Sequence, residues 1–195
     1  MKSLLLFCIL IVSTIGAFAD ITAYKSKDGI VLVSNDPGQY FTIQIKGSKF
    51  EPLGEGSSSN PMFMVDGQFI QVAVIRIEDL KAKTTDEAEL LKGYLAYETE
   101  FYKGHLKDIS SKFLKPVGGH QRLTWSASPT DPSSKVRNVF LVFVSRNNIL
   151  ALSTAVPTGS PEETARKRLE IMAESFKPSD KPITLKFAKD GSYSY

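Results

Sequence analysis

The residues best suited to move a proton or hold a metal near neutral pH are the two histidines, His105 and His120. In "EFYKGHLKD", Glu100, His105 and Asp108 lie close together. A zinc site needs three or four ligands around one point, and this spacing after Gly104 matches no ligand pattern. His120 follows Gly118 and Gly119, which place it in a turn. "PVGGHQ" lacks the Gly-Lys-Ser/Thr ending of a phosphate loop. The chain also lacks the G-x-S-x-G elbow of a serine hydrolase. Ser126, Ser128 and the serines Ser57, Ser58 and Ser59 have neither a base nor an orienting group at a telling distance. Glu98 and Glu100 sit two apart on a predicted helix and point in different directions, a poor arrangement for paired carboxylates. The sequence therefore assigns no catalytic, metal-binding or cofactor-binding residue and implies no cofactor.

The first residues carry an address. "MKSLLLFCILIVSTIGAFAD" has a positive Lys2, an apolar stretch from Leu4 to Val12, and the small residues Ala17 and Ala19 before Asp20. This is the layout of a secretory signal peptide, residues 1–19, cleaved before Asp20. The apolar stretch is short for a membrane span, which takes about 20 residues. No later segment approaches that length, so no stable membrane insertion is expected after cleavage. Phe7 precedes Cys8, which argues against a lipid anchor. Cys8 is the only cysteine, so the mature chain has no disulfide and must rely on a core. A chain of this size can build one, since about 150 residues hide roughly two thirds of their unfolded surface. The expected organisation is one domain over residues 20–178 and a tail, residues 179–195, either an edge strand or mobile. The expected location is secreted or periplasmic.

The charge is nearly balanced, with 24 Lys and Arg against 21 Asp and Glu. That balance gives no support to a nucleic-acid partner. The densest basic run, "ARKR" at Ala165 to Arg168, spreads around a helical turn and reads as a solvated face.

The elements that would position any site are legible from periodicity. Gly29 to Ser34 and Tyr40 to Lys46 read as strands around the turn Asn35-Asp36-Pro37-Gly38. "PLGEGSSSNP" is a loop. Asp66-Gly67 between apolar runs predicts a tight hairpin. Thr84 to Lys103 predicts a helix with a Thr84/Glu87 capping box. Leu90, Tyr94, Tyr97 and Phe101 form one apolar stripe on it. Ala88, Leu91, Leu95 and Tyr102 form a second. "RLTWSAS" is a strand. Val139 to Val144 is apolar throughout and predicts a strand covered on both faces. After a turn at Ser145 to Asn148 and another strand, Ser160, Pro161 and Glu163 predict the start of a helix. Ala165, Leu169, Met172 and Phe176 are its buried stripe.

Two stretches, "YFTIQIKGSKFEP" and "VFLVFVSRNNILALSTAVP" with its following "ARKRLEIMAESFKP", resemble the PsbP-like family. The resemblance covers about a third of the chain. It implies an α+β fold, an antiparallel sheet packed against helices as an α/β/α sandwich, shared with a Ran-binding nuclear import factor. The chain departs from that pattern in showing no helix before its first strand. Members of this fold are mostly non-catalytic binding or assembly factors. The resemblance thus implies an exported, non-enzymatic binding or assembly module with an unknown protein or envelope partner. The alternative is an exported, hydrolase-like enzyme whose site is assembled from distant residues. A third reading, a small-molecule carrier, requires a large cavity beneath Tyr94, Tyr97 and Phe101. A deep pocket holding His105 or His120 beside carboxylates favours the enzyme; a shallow, loop-rimmed surface favours the module.

Overall fold

The computed structural model describes residues 21–53 and 60–194. The expected signal peptide and Ser57 to Ser59 lie outside the described residues. The chain opens with a meander, β1 (Ile21–Ser26), β2 (Gly29–Ser34) and β3 (Phe41–Lys46). Next come β4 (Phe50–Pro52), β5 (Met62–Val65) and β6 (Gln68–Arg76). Asp66 and Gly67 turn the β5–β6 hairpin with φ of 50° and 79°, the left-handed pair a tight turn of this kind requires. Helix α1 (Glu87–Phe101) leads into β7 (Leu106–Val117), β8 (His120–Pro129), β9 (Val136–Ser145) and β10 (Asn148–Pro157). Helix α2 (Glu163–Glu174) and the short strands β11 (Lys177–Pro178), β12 (Lys186–Phe187) and β13 (Tyr193–Ser194) complete the order.

Seven strands form one antiparallel sheet in the order β4-β5-β6-β10-β9-β8-β7. A second sheet has the order β1-β2-β3-β11. Strand period sorts the core into layers. Val139, Leu141 and Phe143 of β9 face α2 and the smaller sheet. Phe140, Val142 and Val144 face α1. The expected double coverage of this strand is thus present, and residues 140–143 are all buried. Helices lie on opposite faces of the large sheet, an α+β arrangement. The second helical layer is formed by elements within the chain order, so no helix ahead of β1 is needed. No helix among the described residues is long and apolar enough to cross a membrane.

The tail covers the outer face of the smaller sheet. Ile183 packs on Val31 and Val33, and Asn35 brackets it with hydrogen bonds to both its backbone groups, at 2.9 and 2.7 Å. Lys186–Phe187 pairs with Tyr193–Ser194 and with neither larger sheet.

Both helix starts differ from expectation. The α1 cap is Asp86, whose carboxylate accepts from Glu89 N at 2.9 Å, while Thr84 accepts from Asp86 N at 3.1 Å. An Asp one turn ahead of the apolar stripe outcompetes the Thr because it reaches the free N–H groups of the first turn. Ser160 caps nothing: α2 begins at Glu163 after Glu162, with no side-chain cap. Ser160 N instead donates to Pro157 O at 3.0 Å, closing the turn that leaves β10. Asp86→Ala should therefore cost about 0.5–2 kcal/mol, and Ser160→Ala should stay within about 0.5 kcal/mol. Urea melts of the two variants check this, and equal losses would refute the assignment of caps.

The first aromatic stripe of α1 divides. Leu90 and Tyr94 are buried, whereas Tyr97 and Phe101 are exposed and stack on each other at 6.3 Å. The buried face is set by Leu90, Leu91, Tyr94, Glu98 and Tyr102.

Candidate ligand-binding cleft

A cleft of about 330 Å³ opens between the β7–β8 turn and the last turn of α2. Gly118 and Gly119, at φ 61° and 85°, make the tight turn that carries His120 to its rim. Phe143, Ala173 and Phe176 are the apolar wall, and Phe143 meets Phe176 edge-on at 5.2 Å. Arg122, Glu174 and His120 supply its charge and polarity.

Strand register explains how Arg122 comes to be buried. Leu123, Trp125 and Ala127 face α1, so Arg122, Thr124, Ser126 and Ser128 face α2. Arg122 pairs across the sheet with Phe143, and its side chain is only 7% exposed. Its Nε and Nη2 donate to Lys115 O at 3.1 and 2.8 Å. That fork fixes the guanidinium plane. Nη1 is buried without a hydrogen-bond partner. The carboxylate facing it belongs to Glu174, 3.9 Å away with a half-exposed side chain, too far for a hydrogen bond.

His120 is oriented from the other side of the sheet. Its Nδ1 lies 3.0 Å from Glu87 Oε1, and Gln121 N donates to Glu87 Oε2 at 2.7 Å. The first residue of α1 thus ties the helix to the start of β8. A carboxylate on one imidazole nitrogen fixes the tautomer and ring plane. The cleft lining contains no serine, threonine or cysteine.

The other residues singled out in the sequence lie elsewhere. His105 is exposed, with its backbone N–H donating to Tyr102 O at 2.9 Å. Glu100 pairs with Lys103 on the surface, and Asp108 is exposed at a register shift between β7 and β8. Among the described residues no group of His, Cys, Asp and Glu is arranged to hold a metal ion. Glu98 and Glu100 do point apart: Glu98 is buried and Glu100 is not. Burial pushes the Glu98 carboxyl up to about 8, an effect only partly offset by Tyr94. The Tyr94 hydroxyl itself lies outside good hydrogen-bonding geometry.

Ser126 and Ser128 belong to a second polar cluster, where α2 meets β7, β8 and β9. Glu162 is held by Arg137 and Arg166, and Ser126 Oγ donates to it at 3.3 Å. Arg137 also reaches Ser128 Oγ at 3.1 Å and Asp108 O at 2.7 Å. Burial works against the Glu162 charge, but the bonds from Arg137, Arg166 and Ser126 outweigh it and hold the carboxyl below its ordinary value. With the Glu162 carboxylate shared between two guanidinium groups and the hydroxyls engaged, this cluster fastens the helix to the sheet. It also corrects the reading of "ARKR" as a solvated face. Arg166 bonds Glu162 and Thr124, and Arg168 donates to Val65 O at 3.1 Å and Gln68 Oε1 at 2.8 Å. Of these four residues only Lys167 is exposed.

Sequence reasoning missed Arg122, Glu87 and Glu174. The alternation in "HQRLTWSASP" held the signal for Arg122, since it places a lone arginine on a strand face that a covering layer must bury.

No protein-family model matches the sequence, and no curated protein does. Among solved structures, a crystal structure from Bacteroides thetaiotaomicron VPI-5482 aligns with 71% of this chain at 10% identity and a TM-score of 0.47. This chain spans 45% of that protein's length. The solution structure of cyanobacterial PsbP from Synechocystis sp. PCC 6803 aligns with 84% of this chain and 95% of its own, at 12% identity and a TM-score of 0.41. The resemblance to PsbP is one of fold.

Proposed function

We propose that this protein is an exported, non-enzymatic binding module and that its ligand seats in the cleft between the β7–β8 turn and α2. The observation that carries the reading is Arg122. Its guanidinium is buried and held in plane by Lys115 O, yet Nη1 has no acceptor. A buried donor left unmade costs about 1–3 kcal/mol. Such a cost is retained where a ligand supplies the missing partner, and a concave apolar site with a few fixed polar groups is the usual form of a small-molecule site.

The hydrolase-like alternative is favoured by the Glu87–His120 pair at the rim, a carboxylate-oriented imidazole that could activate a water. The lining offers no serine, threonine or cysteine as a nucleophile. Binding is therefore the reading adopted.

The test uses the chain from Asp20 to Tyr195, labelled for NMR and screened with neutral, cationic and anionic aromatic fragments. Amide shifts clustered at Val117–Arg122 and Ala173–Phe176 are expected. Shifts confined elsewhere, or none, would remove the cleft as the site. Hydrolysis of 4-nitrophenyl acetate that disappears in His120→Ala would decide for the enzyme instead. Export is checked by recovering the protein from its native source, where the chain should begin at Asp20.

A further inference from the structure

We infer that the ligand of this cleft is a carboxylate on an apolar body, and that Glu174 occupies the position its carboxylate takes. The inference rests on the cleft being the binding site. Three of the five guanidinium N–H groups of Arg122 belong to Nε and Nη2, which both bond Lys115 O. The remaining pair, on Nη1, is buried and lacks an acceptor. The acceptor that suits it is an anionic oxygen at about 2.8 Å.

Glu174 is a poor occupant of that position. It stops at 3.9 Å from Nη1. It sits at the C-terminal residue of α2, where the exposed carbonyl groups disfavour negative charge. Its side chain is 53% exposed, so water already solvates it and it can swing outward at little cost. A ligand carboxylate would bring no helix-end penalty and would bury its apolar part on Phe143, Phe176 and Val117.

The same surroundings set the class of anion. Arg122 is the buried cation here, and Glu174 and the α2 C-terminus stand beside it. The single guanidinium matches one negative charge, so a monocarboxylate is paired while the second charge of a phosphate would be buried beside the α2 C-terminus without a partner from Arg122. The cleft volume of about 330 Å³ lies at the lower end of small-molecule sites. Two sources present this chemistry, a free hydrophobic acid and the C-terminal carboxylate of a chain ending in an apolar residue.

The experiment is calorimetric titration of the Asp20–Tyr195 chain, with NMR mapping of each probe. The probes are 4-phenylbutyrate, the neutral 4-phenylbutanol, and a short peptide ending in Phe with a free or an amidated C-terminus. The acid should bind about tenfold or more tightly than the alcohol. Glu174→Gln, at a half-exposed position, should fold normally and tighten the acid roughly two- to fivefold. Arg122→Gln should abolish the preference for the acid. Stronger binding of the free-ended peptide than of phenylbutyrate assigns the source to a protein terminus, and the reverse assigns it to a free acid. If the alcohol binds the cleft as well as the acid does, or if Glu174→Gln weakens the acid, the carboxylate assignment is wrong while the cleft remains a site. If no probe shifts the cleft amides, the binding reading falls with it.

Discussion

Phe140→Ala is expected to lower the unfolding free energy by about 3–5 kcal/mol. Phe140 sits on the interior strand β9, opposite Trp125 of β8 and Ser153 of β10. It is 1% exposed, and its ring stacks on Trp125 at 3.9 Å with an interplanar angle of 7°. Truncation removes the apolar contact and the ring pair together, and such pairs add about 0.5–1.5 kcal/mol beyond their area. The space left is walled by two hydrogen-bonded strands and α1, none of which can close in freely. Phe143 makes a useful contrast three residues along. It faces α2, meets Phe176 edge-on and lines the cleft. A void there opens toward solvent and can relax, so Phe143→Ala should fall at about 3 kcal/mol, the lower end of the same range. Paired denaturant melts order the two variants. A loss below roughly 1 kcal/mol for Phe140→Ala would mean that β9 is not an interior strand covered on both faces.

Strand β9 was legible because its chemistry is uniform. An apolar residue at each position from Val139 to Val144 can only be satisfied by cover on both sides. Asp66-Gly67 was legible for a different reason: few residue pairs tolerate two successive positive φ values. What failed to read was the edge. β7, at Leu106 to Val117, is mostly exposed, polar in sequence and broken by Pro116. Nothing in it marks a strand, yet an edge strand needs only one partner and tolerates proline. It pairs along β8 despite two register shifts. Tertiary context thus supplied what local preference did not.

The same limit hid the cleft. Its parts come from the β7–β8 turn, the middle of the sheet and the end of α2, more than fifty residues apart in the chain between His120 and Glu174. No spacing rule joins them. The capping signals misled for a related reason. Ser160 and Glu163 fit a capping box in sequence, but Glu162 is drawn into the pairing with Arg137 and Arg166. The helix start follows that ion-pair cluster and leaves Ser160 in the preceding turn. In α1 the Thr84/Glu87 box failed because Glu87 serves His120 and Gln121 across the fold.

Glu98 should make the protein less stable as pH rises from about 4.5 to 8. Its residue is 3% exposed on the α1 face that packs on the sheet, and burial pushes its carboxyl up to about 8 from an ordinary 4.5. The folded chain therefore holds this proton more tightly than the unfolded chain. Between those two values the folded state binds more protons, so stability falls with rising pH; the contribution is fully present below about 4.5 and lost above about 8. At about 1.4 kcal/mol per unit, the whole window amounts to at most about 5 kcal/mol. Tyr94, one turn earlier, is itself pushed well up by burial and stays protonated throughout. Glu162 titrates in the opposite sense and below its ordinary value, so its effect lies at the acid end of the scale. Glu98→Gln keeps the volume and removes the titration. Wild type and variant should have similar stability near pH 4.5, and the variant should be more stable by several kcal/mol at pH 8. Subtracting the two urea-melt profiles cancels every other titrating group. A difference that stays flat across the window would show that the Glu98 carboxylate is solvated in the folded protein, and that α1 does not seal the sheet at this point.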